Sequence, residues 1–151
     1  MYDPIKKRLL TACEQYVRDR VSHAQQAIAS ASDAAASDTK SSAGDKFETT
    51  REMMQQEISR LQQTLADAQQ MAHTLAQLDI RGQAGPARLG SLVDTNRGAF
   101  FLAIGVGRLV VDGKAYGVVS PASPIGRQLL GKVVGERFTF HSQEYTVEQI
   151  R

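Results

Sequence analysis

The chain has 151 residues, with 18 basic and 16 acidic side chains, one cysteine and an apolar fraction of 42%. This composition excludes a disulfide scaffold, a membrane-embedded protein and a disordered polyelectrolyte, and a net charge of +2 is too small to grip nucleic acid by charge alone. The first residues hold too few apolar side chains for a signal sequence, so we expect a cytoplasmic protein with no membrane association.

Glycine is distributed unevenly along the chain. Gly44 is the one glycine among the first 81 residues, and the other eleven lie in the last 70. Glycine is unfavourable inside helices and useful in turns and strand bends. The distribution therefore predicts an α+β protein in which a helical first half is joined to a second half of strands and turns.

The first half contains two apolar stripes whose members recur every three or four residues, the spacing of one helix face. The first stripe is Leu10, Cys13, Val17, Val21, Ala24, Ile28 and Ala31. The second is Met54, Ile58, Leu61, Leu65, Ala68, Ala72 and Leu75.

If the two stripes face each other in antiparallel helices, the position numbers of the facing residues add to 85 or 86 throughout. This regularity predicts a coiled-coil hairpin of residues 1–81 with its turn in the polar stretch 37–44 and its tip near residues 37–48. The same periodicity is equally typical of a coiled coil that only binds other proteins through its outer faces.

Two carboxylates open the second helix at the tip. Asp45 and Glu48 have the capping-box spacing, in which each side chain accepts a hydrogen bond from a backbone N–H at the helix start. They are also hard oxygen ligands, and Mg²⁺ is commonly held by one or two protein carboxylates together with ligands from a substrate or a second site. The spacing alone fits both roles.

The second half begins after a cluster of glycine and proline at 82–87, which predicts a linker followed by a domain at 88–151. Strands are expected at 89–94, 99–104, 107–111, 115–119, 136–141 and 144–150, with Asp112 and Gly113 forming a hairpin turn. Between the fourth and fifth strands, Ser123 is expected to cap a short helix that has Pro124 at its first position and ends at Gly131.

These motifs resemble the bacterial Gre transcript-cleavage factors, in which a helical hairpin with Gly-Asp-x-x-Glu at its tip precedes a domain related to FK506-binding proteins. The tip here is Gly44-Asp45-Lys46-Phe47-Glu48, with Thr49 where the family usually has asparagine. Residues 120–135, with the pattern Ser-Pro-x-Ser-Pro-Ile-Gly-Arg-x-Leu-Leu-Gly-Lys-x-x-Gly, are similar to the signature of the C-terminal domain. The resemblance covers nearly the whole chain.

The resemblance implies an accessory transcription factor, not an enzyme, that binds RNA polymerase as a monomer. Ser123 and Pro124 match the loop that docks beside the secondary channel, and the hairpin would enter the channel. Asp45 and Glu48 would then help the polymerase to hold a second Mg²⁺ for cleavage of backtracked RNA near its 3′ end. Lys40, Lys46 and Arg51 are weaker candidates for contact with RNA phosphates, since each is more typical of a solvated face.

Three alternatives remain open at this stage. Lys46, Phe47 and Thr49 differ from the usual tip, which favours a regulator that occupies the channel without stimulating cleavage. The periodicity alone is compatible with a coiled-coil scaffold unrelated to transcription. A peptidyl-prolyl isomerase is the weakest alternative, because most aromatic residues of the second half alternate along strands as core residues do.

Overall fold

The computed structural model describes residues 3–41, 45–82 and 84–151, with the backbone alone for residues 37–41 and 45–48. The described residues form two long helices, followed by six strands and one short helix. The elements are α1 (Pro4–Ser41), α2 (Asp45–Ala76), β1 (Leu92–Thr95), β2 (Gly98–Leu102), β3 (Gly107–Val111), β4 (Lys114–Val119), α3 (Pro124–Leu129), β5 (Arg137–Phe140) and β6 (Gln143–Ile150). This α+β arrangement of a helical hairpin and a small sheet confirms the predicted fold class.

The chain divides into two compact units. The first, here called the hairpin unit, is Val17–Ala72 and consists of the central parts of α1 and α2. The second, the sheet unit, combines Met1–Tyr16 with His73–Arg151. The beginning of α1 and the end of α2 therefore belong to the same unit as the sheet.

Burial in the hairpin unit follows the predicted helix faces. Val17 and Ala24 on α1 are buried, and so are Leu61 and Ala68 on α2. Because this unit contains only two helices, each of these side chains is covered by packing of one helix on the other. The exact pairing of the two stripes stays a prediction.

Two details of the hairpin differ from the sequence prediction. Ala72, expected in the buried stripe, is exposed, and the neighbouring Met71 is half-buried. The reason is that a strict seven-residue repeat drifts around a helix of 3.6 residues per turn. In addition, the polar stretch expected to form the turn is helical up to Ser41, since residues 37–41 contain neither glycine nor proline to end α1.

The six strands form one sheet in the order β3-β4-β2-β1-β6-β5. Neighbouring strands are antiparallel except for β2 and β4, which pair in parallel with Phe100 opposite Gly117. On one face, Leu129 of α3 packs in a buried cluster with Val93, Leu102 and Val147. All six predicted strands are present, with boundaries that shift by up to three residues.

Two hairpin turns of the sheet have both central residues at positive φ. Asp112 and Gly113 join β3 to β4 with φ of 53° and 79°, which confirms the predicted turn. His141 and Ser142 join β5 to β6 with φ of 50° and 64°. The second turn has no glycine, so the usual sequence signal is absent and the strand pairing determines it.

The first turns of α1 contact the sheet within the same unit. Asp3 accepts a hydrogen bond from the Ile5 N–H at 2.9 Å and so caps the helix. Arg151, at the end of β6, forms ion pairs with Asp3 at 3.1 Å and with Asp94 of β1 at 3.0 Å. Arg8 forms a further ion pair with Asp112 at the β3–β4 turn.

Two buried side chains near the start of α1 have shifted pKa values. Lys6 is buried and its Nζ donates to the Arg151 carbonyl at 3.0 Å, and desolvation lowers the pKa of Lys6 below its ordinary range. Burial also raises the pKa of the Cys13 thiol to about 12, with a smaller contribution from Glu14. Cys13 is thus a core residue, as its place on the apolar stripe predicts.

In the part of the chain that the structure describes, none of the helices combines the length and apolar character needed to cross a lipid bilayer.

Candidate functional site

The carboxylates singled out at the tip belong to the first turn of α2. The helix begins at Asp45, and Glu48 follows three residues later. The side chains of Asp45, Glu48, Lys40 and Lys46 lie outside the described residues. The backbone nevertheless puts both acidic residues at the helix end where unpaired N–H groups and the helix dipole favour negative charge.

The chemistry of these two residues fits a hard divalent cation. Carboxylate oxygens are the ligands that Mg²⁺ prefers, but two of them leave most of its six positions to water or to another molecule. Among the described residues, no three histidine, cysteine, aspartate or glutamate side chains lie together as a metal site.

Arg51 is the one candidate RNA-contact residue whose side chain is described. It lies one turn further along α2 than Phe47 and is exposed. An exposed guanidinium is available to a phosphate. The same exposure is also found in any solvated helix face.

The loop before α3 is held by its own side chains. Ser123 has extended backbone geometry and is the N-cap of α3, with its hydroxyl accepting from the Gly126 N–H at 3.1 Å. The same hydroxyl donates to the Ser120 carbonyl at 2.6 Å. Ser120 in turn accepts from the Ala122 N–H through its own hydroxyl at 3.1 Å. The loop thus has a single well-determined conformation.

Gly126 allows the loop to lie this close to the helix. A Cβ at this position would be 1.9 Å from the Ser120 carbonyl oxygen, far inside van der Waals contact. The glycine in the signature at 120–135 is therefore required by a close approach of backbone to backbone. Pro124 at the first helical position needs no N–H partner and stays exposed.

Apolar side chains are exposed on both sides of α3. Ala122 and Pro124 are exposed before it, and Leu130, Val133 and Val134 are exposed after it, with Val134 60% exposed. The segment after the helix is ordered by Glu136, whose carboxylate accepts from the Val133 N–H at 2.9 Å. We call these five residues the α3 flanks. Exposed apolar groups on a fixed backbone are typical of a surface that binds another protein.

Ser123 and Pro124 lie at the N-cap and the first position of α3, as the sequence predicts. The Ser123 hydroxyl is hydrogen-bonded within the loop, whereas Pro124 is exposed. Sequence reasoning placed Ser120 and Leu130 in the signature at 120–135 but missed that Leu130, Val133 and Val134 are exposed. The exposed valines have no signal in the sequence, because an apolar residue next to a short helix is expected to be buried.

The described aromatic residues of the sheet fill its core. Phe138 and Tyr145 stack with ring centroids 5.0 Å apart, and Phe100 meets Tyr145 edge to face at 6.2 Å. Phe101 and Tyr116 are buried. This packing agrees with the alternation seen in the sequence.

Comparisons with known proteins give a distant structural neighbour. No family model matches this chain, and no curated protein matches it. A solved structure described as "Structure of the transcription factor Gfh1" is 19% identical and covers 90% of this chain and 91% of its own, with a TM-score of 0.37. The match extends over nearly the whole of both chains.

Proposed function

We propose that this chain is a cytoplasmic transcription factor that binds bacterial RNA polymerase through the Ser120–Pro124 loop and the α3 flanks. The observation that carries the proposal is the construction of this loop. Ser123 and Gly126 fix it by hydrogen bonds and close packing, and Pro124 and Ala122 are exposed on it. Because the loop is already fixed, little conformational entropy is lost on binding. Ser123 and Pro124 are also the positions that resemble the docking loop of the Gre factors.

The second part of the proposal concerns the tip. Asp45 and Glu48 act as two carboxylate ligands that reach the polymerase active centre when RNA has backtracked. Together with polymerase carboxylates they would hold a second Mg²⁺, which would supply Lewis acidity toward the RNA phosphodiester and activate a water for its hydrolysis. The protein is then not itself a nuclease but lends ligands to the activity of the polymerase.

The start of α2 suits this role for a physical reason. Carboxylates at a helix N-terminus are held ionised by the dipole and by nearby N–H groups. An ionised carboxylate binds a cation without first losing a proton. Asp45 and Glu48 both lie in this first turn of α2.

The test of the tip is cleavage of RNA in a backtracked elongation complex, measured by the shortening of end-labelled RNA. Asp45→Asn keeps a good helix-capping side chain but removes the charge, so we expect at least about a tenfold loss of stimulated cleavage with unchanged helicity. Asp67→Asn is the matched control, because Asp67 is also an exposed carboxylate on α2 and lies about six turns away. Equal stimulation by wild type and Asp45→Asn would reject the metal-ligand role.

The test of docking is co-purification with core polymerase. Pro124→Glu places an acid in the first helical turn, where it favours the helix, and changes the outer surface of the loop. We expect binding to be lost while the thermal unfolding curve is retained. Gln128→Glu, which adds the same charge to an exposed position of α3, serves as the control.

The two tests also separate the alternatives. A channel-occupying regulator would bind polymerase in a Pro124-dependent manner and alter transcription, yet Asp45→Asn would leave its effect unchanged. A scaffold unrelated to transcription would not bind the polymerase at all, and Pro124→Glu would have no effect on its partners.

A further inference from the structure

A row of residues crosses the sheet away from the Ser120–Pro124 loop and ends in a small groove. Gly117 of β4 lies opposite Phe100 of β2 on one side and opposite Arg108 of β3 on the other. Directly paired residues point to the same face of a sheet, and Phe100 belongs to the face that α3 covers further along. Phe100, Gly117 and Arg108 therefore lie at the edge of the sheet face on which α3 packs.

The groove exists because position 117 carries no side chain. It has a volume of about 250 Å³, and Phe100, Gly117, Ala115, Arg97 and Arg108 are among its lining residues. A Cβ on Gly117 would be 2.8 Å from Cδ1 of Phe100, so the ring leans across the glycine and forms one wall. The floor and this wall are apolar.

The rim of the groove is cationic. The Arg97 Nε donates to the backbone carbonyl of Glu144 at 2.9 Å, and its guanidinium lies 5.7 Å from the centre of the Tyr145 ring, which holds the group in place. Arg108 is exposed. Among the described residues, neither arginine forms an ion pair with a carboxylate, and no carboxylate lines the groove.

We propose that this groove binds an acidic peptide segment of a partner protein, with one apolar side chain seated against Phe100 and Gly117 and flanking carboxylates on Arg97 and Arg108. The volume is smaller than that of typical small-molecule sites and suits a single side chain. The charge of the rim is complementary to acidic residues, and Arg binds carboxylates in a fixed two-point geometry. The proposal goes beyond polymerase docking and does not depend on it.

Access to the groove is favoured by the position of β3. This strand is at the edge of the sheet, and Val110, on the same face as Arg108, is 59% exposed. An extended segment is therefore able to lie along the margin of the sheet. A nucleic acid fits less well, since phosphate recognition relies on several cations in a track, whereas this site has two arginines around an apolar floor.

The experiment is titration of the ¹⁵N-labelled full chain with acetyl-Asp-Glu-Leu-Asp-Glu-amide, followed by amide chemical shifts. We expect shifts confined to residues 97–100, 108–110 and 115–117. Arg108→Gln should weaken binding by about fivefold, and Ala115→Glu, which puts a carboxylate in the groove, by about tenfold or more. Arg137→Gln is the matched control, because Arg137 is an exposed arginine on β5 at the opposite edge of the sheet.

Several outcomes would overturn the proposal. One is the absence of shifts up to about 1 mM peptide. Others are shifts outside the groove, or equal binding of acetyl-Lys-Arg-Leu-Arg-Lys-amide. Stronger shifts of the same amides on addition of oligothymidylate would assign the arginines to phosphate instead. Since Arg108 and Ala115 are exposed, the variants are expected to fold, and their amide spectra report directly whether they do.

Discussion

The hairpin unit and the sheet unit are stabilised in different ways. In the hairpin unit, two of the buried positions on facing helices are alanines, Ala24 and Ala68, which remove little apolar area from water. In the sheet unit, Phe101, Leu92, Leu102 and Leu129 are fully buried in a layered core. The described residues thus concentrate apolar burial in one unit and leave the other with a narrow seam.

The sheet unit therefore contains the larger apolar core, whereas the hairpin unit contains a narrow one. A two-helix core gains roughly the same small amount of free energy with each turn, so adding turns extends the helices without forming a larger core. The sheet unit gains its stability from many long-range contacts at once. The proposed ligands at Asp45 and Glu48 lie in the hairpin unit, and the proposed docking loop lies in the sheet unit.

The largest effect is expected from emptying the core of the sheet unit. Phe101→Ala removes a fully buried ring from β2 and should lower the free energy of unfolding by about 3–5 kcal/mol, measured by urea denaturation. Val110→Ala, on the exposed surface of β3, is the control and should change it by less than about 0.5 kcal/mol. Similar losses for the two variants would mean that the sheet core is not the main source of stability.

A somewhat smaller effect is expected at the close approach between the loop and α3. Gly126→Ala forces a methyl group against the Ser120 carbonyl, where backbone and not a flexible side chain must move, at a cost of about 3 kcal/mol. The loop should also lose its conformation, so the affinity for polymerase should fall even when the variant is folded. Binding equal to wild type in a folded Gly126→Ala protein would show that loop geometry does not matter for docking.

In the hairpin unit we expect a smaller loss. Leu61→Ala should cost about 2 kcal/mol, the low end for this substitution, because a narrow seam relaxes more readily than a layered core. Amide hydrogen exchange should show reduced protection in residues 17–36 and 49–72, while the strands keep their protection. A loss as large as that of Phe101→Ala would contradict the contrast drawn between the units.

The smallest effect concerns the pH dependence of stability. Desolvation and the neighbouring Arg88 and Arg151 lower the pKa of Lys6, outweighing Asp3 and Asp79, so the unfolded chain holds this proton more tightly. Between the lowered pKa and the ordinary value of 10.5, the unfolded state binds more protons and the free energy of unfolding rises with pH.

Lys6→Met should remove the rise of the free energy of unfolding with pH. It should change stability at neutral pH by less than about 1 kcal/mol, because the Arg151 carbonyl keeps its hydrogen bond from the Leu92 N–H at 2.8 Å. Urea denaturation between neutral and alkaline pH makes the measurement. An unchanged slope in Lys6→Met would assign the pH dependence to other groups.

Local chemistry made parts of the fold and of the candidate site predictable. Asp112 and Gly113 tolerate positive φ, which is what a two-residue hairpin turn needs. Ser123, Pro124 and Gly131 carry the start and end signals of α3 within their own side chains and backbone preferences, and the structure has Gly131 at a φ of 84° just after the helix. The buried helix faces follow from spacing alone, except at Ala72, which is exposed, and at Leu9, which is buried while Leu10 of the predicted stripe is half-buried.

The parts that could not be predicted depend on distant residues. The turn at His141 and Ser142 has no glycine, and it is formed because the pairing of β5 with β6 demands it. The α3 flanks and the groove at Gly117 are surfaces. A residue is exposed there because no distant segment of the chain packs on it. Nothing in the local pattern distinguishes Val134, which is exposed, from Val118, which is buried.

The amino-acid sequence by itself thus determined the α+β class, the two helical stripes, the six strands and the caps of α3, since each rests on the preferences of neighbouring residues. Only the tertiary structure decided that the start of α1 belongs with the sheet through Lys6, Asp3 and Arg151, that β2 and β4 run in parallel, and that Phe100, Gly117 and Arg108 form one row. These features join residues far apart in the chain. Their free energy comes from burial and pairing that no local segment contains.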